Sequence, residues 1–269
     1  MIAATNLVGR RLVRAAIAAG ALFLAGCATV PPDAGKNPRD PYERFNRQTY
    51  AFNDHLDRYL LRPLAKGYEA VIPHALRLCI ANGFSNLGEI RNAVNDILQA
   101  KPAGAATDTG RLAINSTLGV LGCFEVANKM GLDRRNEDFG LTLARWGVGK
   151  GPYLVLPVLG PSDVRDGIGN IPDAYTSPIG YVTPVRDRFY LIGADLIQTR
   201  AGLLQATDLI DKTAIDRYQF TRDAYLQRRT SLEYEGNPPA PREEDDQDQP
   251  GPGPKTQTKP TQPTPEDKR

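Results

Sequence analysis

Trp146-Gly147-Val148-Gly149-Lys150-Gly151-Pro152-Tyr153-Leu154-Val155-Leu156-Pro157-Val158-Leu159-Gly160-Pro161 decides what kind of fold this sequence encodes. Four glycines and three prolines in sixteen positions exclude a regular helix, and Pro157 inside the apolar run argues against a central strand. The stretch reads as an apolar, irregular segment. Its backbone groups still need partners, so it must pack against helices or line a polar cavity; the plainer alternative is a buried connecting loop.

On both sides of it the patterning is helical. Tyr50, Phe52, Leu56, Tyr59 and Leu60 place an apolar stripe on a helix that should end near Arg62-Pro63. Leu87, Ile90, Val94, Ile97 and Leu98 give a second stripe. Asp108 is placed to cap a third helix carrying Leu112, Ile114 and Leu118, and Cys123 to Met130 forms a short one closed by Gly131. Downstream, Phe189, Ile192, Leu196, Leu203 and Leu204 mark a long helix, and Ile215, Tyr218, Tyr225, Leu226 and Leu232 another. No strand-and-turn alternation is long enough to suggest a sheet, so the class is all-α.

The ends carry different information. Arg10, Arg11 and Arg14 precede an apolar run from Ala15 to Leu24, too short to span a bilayer, and then Leu24-Ala25-Gly26-Cys27. That is a lipobox, in which small residues admit the signal peptidase and the Cys27 thiol takes the diacylglycerol. Residues 1–26 are then a signal peptide, and 27–39 a lipidated tether. Ala28 stands where a lipoprotein retained at the inner membrane typically carries Asp, which points to the outer membrane. Residues 40–236 form the folded domain, and from 237 to 269 a Pro-rich acidic tail without apolar periodicity should be disordered.

Composition closes off several functions. The 269 residues carry 33 basic against 31 acidic side chains, which gives no field for nucleic acid. Two histidines, His55 and His74, and three scattered cysteines offer no metal-ligand spacing, and no cofactor motif is present. At Gly147 to Gly151 a phosphate loop would need Gly at Ala144 and a hydroxyl at Gly151. There is no Gly-x-Ser-x-Gly elbow, Ser-x-x-Lys or His-Glu-x-x-His, so no catalytic constellation is assigned. With Cys27 acylated, Cys79 and Cys123 face an oxidising compartment. They either pair or stay separate as buried thiols, and the sequence leaves both open.

Asp40-Pro41-Tyr42-Glu43-Arg44-Phe45-Asn46-Arg47 resembles the opening motif of the MlaA (VacJ) family of outer-membrane lipoproteins. Further similar blocks follow in order: Phe84-Ser85-Asn86-Leu87, Val94 to Gln99, Ile114-Asn115-Ser116-Thr117-Leu118-Gly119 with Gly122, Glu137 to Gly140, and, most specifically, Trp146 to Pro157 continuing through Gly160-Pro161 to Arg165. The resemblance implies a ring-like arrangement of amphipathic helices set in the inner leaflet of the outer membrane beside a trimeric, OmpC-like porin. Such a protein draws misplaced phospholipid out of the outer leaflet through an amphipathic channel and passes it to the periplasmic carrier MlaC, with no bond made or broken.

On that reading the candidate lipid path comprises Asn115, Gly119, Gly122 and Phe124, with the two glycines permitting a hinge. It continues through Lys150, Gly151, Pro152, Tyr153, Leu156, Pro157, Gly160, Pro161 and Arg165. Lys150 and Arg165 are placed to attract a phosphate, although solvation at the surface is the simpler role for both. Asp40, Pro41, Glu43, Phe45, Asn46 and Arg47 are expected to lock the first helix to the ring. Two rival readings stand beside transport: a lipoprotein that scaffolds porins without conducting lipid, and a phospholipid-modifying enzyme.

Overall fold

The computed structural model describes residues 30–32 and 34–239. The signal peptide, Cys27 and the tail from residue 240 lie outside the described residues. The chain is mainly helical, as expected. Its elements run α1 (Glu43–Leu56), a π-helical turn (Asp57–Leu61), α2 (Arg62–Val71), α3 (His74–Leu98), α4 (Pro102–Thr117), the short α5 (Val126–Lys129) and α6 (Phe139–Arg145). There follow strands β1 (Tyr153–Leu156) and β2 (Gly160–Asp163), α7 (Val164–Thr176), a 3-10 turn (Pro178–Tyr181), α8 (Val185–Gly202), α9 (Leu204–Thr213) and α10 (Arg217–Glu233).

Three expectations need correction. The first helix does not stop at Arg62-Pro63. The π turn widens the coil just before it, and Pro63 then falls in the opening turn of α2, where the missing N–H is not needed. Asp108 is not a cap; it lies in the middle of α4, completely buried. The glycine- and proline-rich centre is a hairpin: β1 pairs antiparallel with β2, Tyr153 opposite Asp163 and Leu156 opposite Gly160. Pro157 lies in its turn, outside the ladder, and Gly160 at φ +84° brings the chain back. Gly131, at φ +83°, closes α5 as expected.

The packing closes a circuit. α2 lies on α8, α8 on α3, α3 on α6 and α7, α7 on the hairpin, and the hairpin on α1, which runs back into α2. α4 is packed along α3 and held there by a disulfide between Cys79 and Cys123, so the pairing left open by the sequence is made. α6 and α7 approach so closely that a Cβ on Gly169 would stand 2.6 Å from the Gly140 nitrogen. No helix among the described residues is long and apolar enough to cross a membrane.

Candidate functional site

The burial pattern is inverted. Among the described residues nine apolar side chains are buried, four of them alanines, against twenty-two polar or charged ones. Over the same residues thirty-four large apolar side chains are exposed. The apolar clusters are small: Ala65, Ala201 and Leu204 where α2 meets α8 and α9, and Tyr153, Val155 and Tyr218 under the hairpin.

α3 shows how the inversion arises. Its buried face is Asn86, Glu89, Asn92, Asn95 and Asp96, continued by Gln99, spaced three and four apart along the helix. The apolar stripe expected to enter a core is turned away: Ile97 and Leu98 are exposed, and Leu87, Ile90 and Val94 only half-buried. Most of these buried polar groups are answered, Asn86 Oδ1 and Asp96 Oδ2 excepted. Asn92 donates to Glu89 at 3.1 Å and to the Arg135 carbonyl at 3.0 Å, and its own oxygen accepts from the Glu137 N–H at 3.2 Å. Gln99 donates to Glu137 at 2.8 Å, and Thr142 to Asn95 at 2.8 Å. From α4, Arg111 crosses to Glu89 at 2.8 Å and to the Leu132 carbonyl at 2.6 Å. In so dry an interior these bonds are strong and any orphan is costly.

α10 supplies the second polar wall. Tyr218, Arg222, Tyr225 and Arg229 follow at four- and three-residue steps on one face. The Tyr218 hydroxyl donates to Asp40, and the Tyr225 hydroxyl to Asp166 at 2.5 Å. Arg229 bridges Asp138 and Asp166. Burial pushes both tyrosines up, reinforced by the carboxylate each one meets, so both stay neutral donors. Burial likewise raises the Asp163 carboxyl to about 6; it caps α7 by accepting from the Asp166 N–H at 2.7 Å. Two polar cavities open beside this wall, of about 300 and about 220 Å³; Lys101, Arg145 and Glu235 line the first, Arg91, Ser162 and Arg228 the second.

Within the opening motif, Asn46 ties α1 to the hairpin. Asn46 donates to Asp40 at 2.8 Å and to the Tyr153 carbonyl at 3.0 Å, and accepts from the Val155 N–H at 2.9 Å. Arg47 pairs with Glu43 at 2.8 Å and Asp216 at 2.7 Å and lies over the Tyr218 ring. Pro41 and Phe45 are exposed.

The residues expected along a lipid path divide. Tyr153 is buried, with Pro152, Leu156, Gly160 and Pro161 half-buried beside it in the hairpin, while Pro157 is exposed at the turn. Gly151, at φ +67°, sits against Val164. Arg165 is not at the surface: it is buried and ion-paired with Glu233, which Lys150 also meets at 3.0 Å. Segment 118–124 is tightly folded. Its glycines are there for close approach, since a Cβ on Gly119 would lie 2.2 Å from the Phe124 carbonyl and one on Gly122 would meet Asn86. Asn115, buried beneath, accepts from the Ala127 N–H, whereas Phe124 points outward with Leu118, Val120 and Leu121. Sequence reasoning missed Glu89, Asn92, Asn95, Gln99 and Arg111, although their three- and four-residue spacing was the available signal. Among the described residues no group of three His, Cys, Asp or Glu side chains is placed to hold a metal.

The MlaA lipoprotein family model matches residues 38–232. The chain belongs to the MlaA lipoprotein family. Over 232 residues it is 34% identical to the intermembrane phospholipid transport system lipoprotein MlaA of Escherichia coli K12, covering 84% of this chain and 90% of that one. An uncharacterized protein of Rickettsia bellii is 38% identical over 200 residues, 74% of this chain and 78% of its own length. A solved structure from work on the structural basis for maintenance of bacterial outer membrane lipid asymmetry superposes with a TM-score of 0.62 at 34% identity, covering 74% of this chain and 99% of that one. The opening motif, the hairpin and the buried polar face of α3 all fall inside the span matched to MlaA.

Proposed function

We propose that this chain is an outer-membrane lipoprotein that removes mislocalised phospholipid from the outer leaflet and passes it to a periplasmic lipid carrier. The observation that carries the reading is the inverted burial. An interior of Asn, Gln, Glu, Asp and Arg with an exterior of Leu, Ile, Phe and Tyr suits a body whose perimeter meets hydrocarbon and whose middle meets headgroups. A headgroup following the polar side while its acyl chains follow the apolar side avoids most of the cost of dragging charge through hydrocarbon. The names of the relatives support the same reading.

In this scheme Cys27 carries the acyl anchor, a trimeric porin flanks the apolar perimeter, and the soluble carrier docks from the periplasm. The exposed Phe124, Val158 and Leu159 belong to the acyl-chain side. Both cations meet Glu233, and Lys150, half-buried where Arg165 is buried, is the more accessible phosphate-attracting candidate of the two. No bond is made or broken, so no residue has a catalytic role.

Surface labelling of outer-leaflet phospholipid in intact cells tests this, comparing a strain lacking the chain with the same strain complemented by wild type or by Cys27→Ala. The expected result is a rise on deletion that only the lipidated form reverses. An unchanged outer leaflet would overturn transport and favour a porin scaffold, and release of lysophospholipid by the purified chain would favour an enzyme.

A further inference from the structure

Two carboxyls in the polar interior are not explained by the transport reading. Asp96 on α3 and Asp108 on α4 are both 0% exposed, on two helices packed along each other, and each carboxyl perturbs the other. Both oxygens of Asp108 and Oδ2 of Asp96 find no donor among the described residues. Asp96 has one direct cationic neighbour, Arg135, at 3.1 Å, and Arg135 is shared with Glu137 at 2.9 Å. Asp108 has no ion-pair partner among the described residues.

The surroundings do not compensate two negative charges. From α3, Glu89 faces Asp108 as a further negative charge, and its cation, Arg111 of α4, is already bound to it. From the turn between α3 and α4, Lys101 reaches the region but pairs with Glu137 and Glu235. From the segment leading to α6 come Arg135 and Glu137 themselves. Two anions side by side at 0% exposure repel strongly, and such a pair tends to keep one proton.

We propose that Asp96 and Asp108 hold a single proton between them and so form a latch that pins the first turns of α4 to α3, closed while the proton is present and loosened when it leaves. The proton, carried by one carboxyl oxygen and donated to an oxygen of the facing carboxyl, answers two of the three unpartnered oxygens. Gly104, in the first turn of α4, lies directly against the Asp96 carboxyl of the pair: a Cβ there would stand 2.3 Å from Asp96 Oδ2 and 2.6 Å from Arg135 Nη1. That turn therefore registers the charge beneath it. Burial, then the bond with Asp96 and the charge of Glu89, raises Asp108 to about 7, which puts the change inside the range a periplasm-facing protein can meet. A carboxyl raised on folding makes the native state hold a proton that the unfolded chain has lost. Stability then declines as pH climbs from about 4 to about 7 and levels off above.

The test is infrared spectroscopy and amide hydrogen exchange on the full chain in detergent, for wild type and Asp108→Asn, between about pH 6 and about pH 8.5. In wild type a protonated-carboxyl stretch larger than the part contributed by Asp163, which Asp163→Asn removes, should be present at the lower pH and disappear at the higher one. Protection of amides in the first turns of α4 should fall by about tenfold after correction for intrinsic exchange. Asp108→Asn donates permanently to Asp96, so it should lack that stretch and stay protected at both values. Absence of the stretch from wild type at the lower pH would overturn the latch, as would equal protection of wild type at both. The wild-type titration decides the matter even if the variant fails to fold.

Discussion

Asn46 and Asn53 stand seven residues apart on α1 and grip the same edge of the hairpin, each with both ends of its amide. Asn46 takes the Tyr153 carbonyl and the Val155 N–H; Asn53 takes the Leu156 carbonyl at 2.9 Å and the Val158 N–H at 2.8 Å. Seven residues is close to two helical turns, so the two amides replace a missing third strand. Asn53 also holds Val158 at φ +68°, a conformation that a β-branched residue rarely adopts unaided.

Replacing Asn46 by Ala should therefore destabilise the chain by about 3 kcal/mol, because a buried carbonyl and N–H are left without partners. Asn53→Ala, at a half-buried place where water can substitute, should lose about 1 kcal/mol. Urea unfolding in detergent checks both, and equal losses would mean that burial does not separate the two sites.

Arg111 and Glu89 form an ion pair with side chains 0% and 1% exposed. Arg111→Met alone abandons a buried carboxylate and should cost about 3–5 kcal/mol, whereas adding Glu89→Leu should recover most of that loss. A double-mutant cycle on thermal unfolding measures the coupling. Additive losses would show that the two charges are answered elsewhere.

The Cys79–Cys123 bond spans 44 positions, and a loop of that length contributes up to about 4 kcal/mol in the chain-entropy picture. Protein isolated without reductant should show neither thiol to alkylating reagents and should melt well above Cys79→Ala/Cys123→Ala. Quantitative alkylation at both cysteines under native conditions would contradict the bond.

For Asp138 the sign of the pH effect is set by a contest. Burial alone would raise its carboxyl, but the hydrogen bonds and charge of Arg229 prevail and hold it below the usual carboxylate range. A group lowered on folding adds stability that is present above about pH 4 and lost as pH falls through the folded value. Arg229→Gln removes that support, so acid unfolding should begin about one pH unit higher, as circular dichroism during acid titration would register. An unmoved acid limb would assign Asp138 another holder.

Helices were legible because periodicity and glycine punctuation report them whichever way they face. The direction was not, because the usual rule sends apolar residues inward. Leu87, Ile90 and Val94 made α3 visible while its buried face was the intervening Asn86, Glu89 and Asn92. The hairpin was hidden for another reason: Pro157 argues against a strand when it lies within one, and here it opens a three-residue turn, with Gly160 paired to Leu156 at the end of the ladder. Asp108 illustrates the limit of local rules. Its helix was anticipated, but no local pattern tells a capping aspartate from one placed to meet a carboxyl on the next helix.

The inverted burial also sets the shape of the chain's thermal behaviour. The heat-capacity change of unfolding grows with apolar surface newly wetted and shrinks with polar surface newly wetted. Here unfolding would hydrate mostly amides, carboxylates and guanidinium groups, since so many large apolar side chains are already outside. The stability curve should accordingly be shallow, with weak cold destabilisation and a low sensitivity of the midpoint slope to denaturant for a chain of this length.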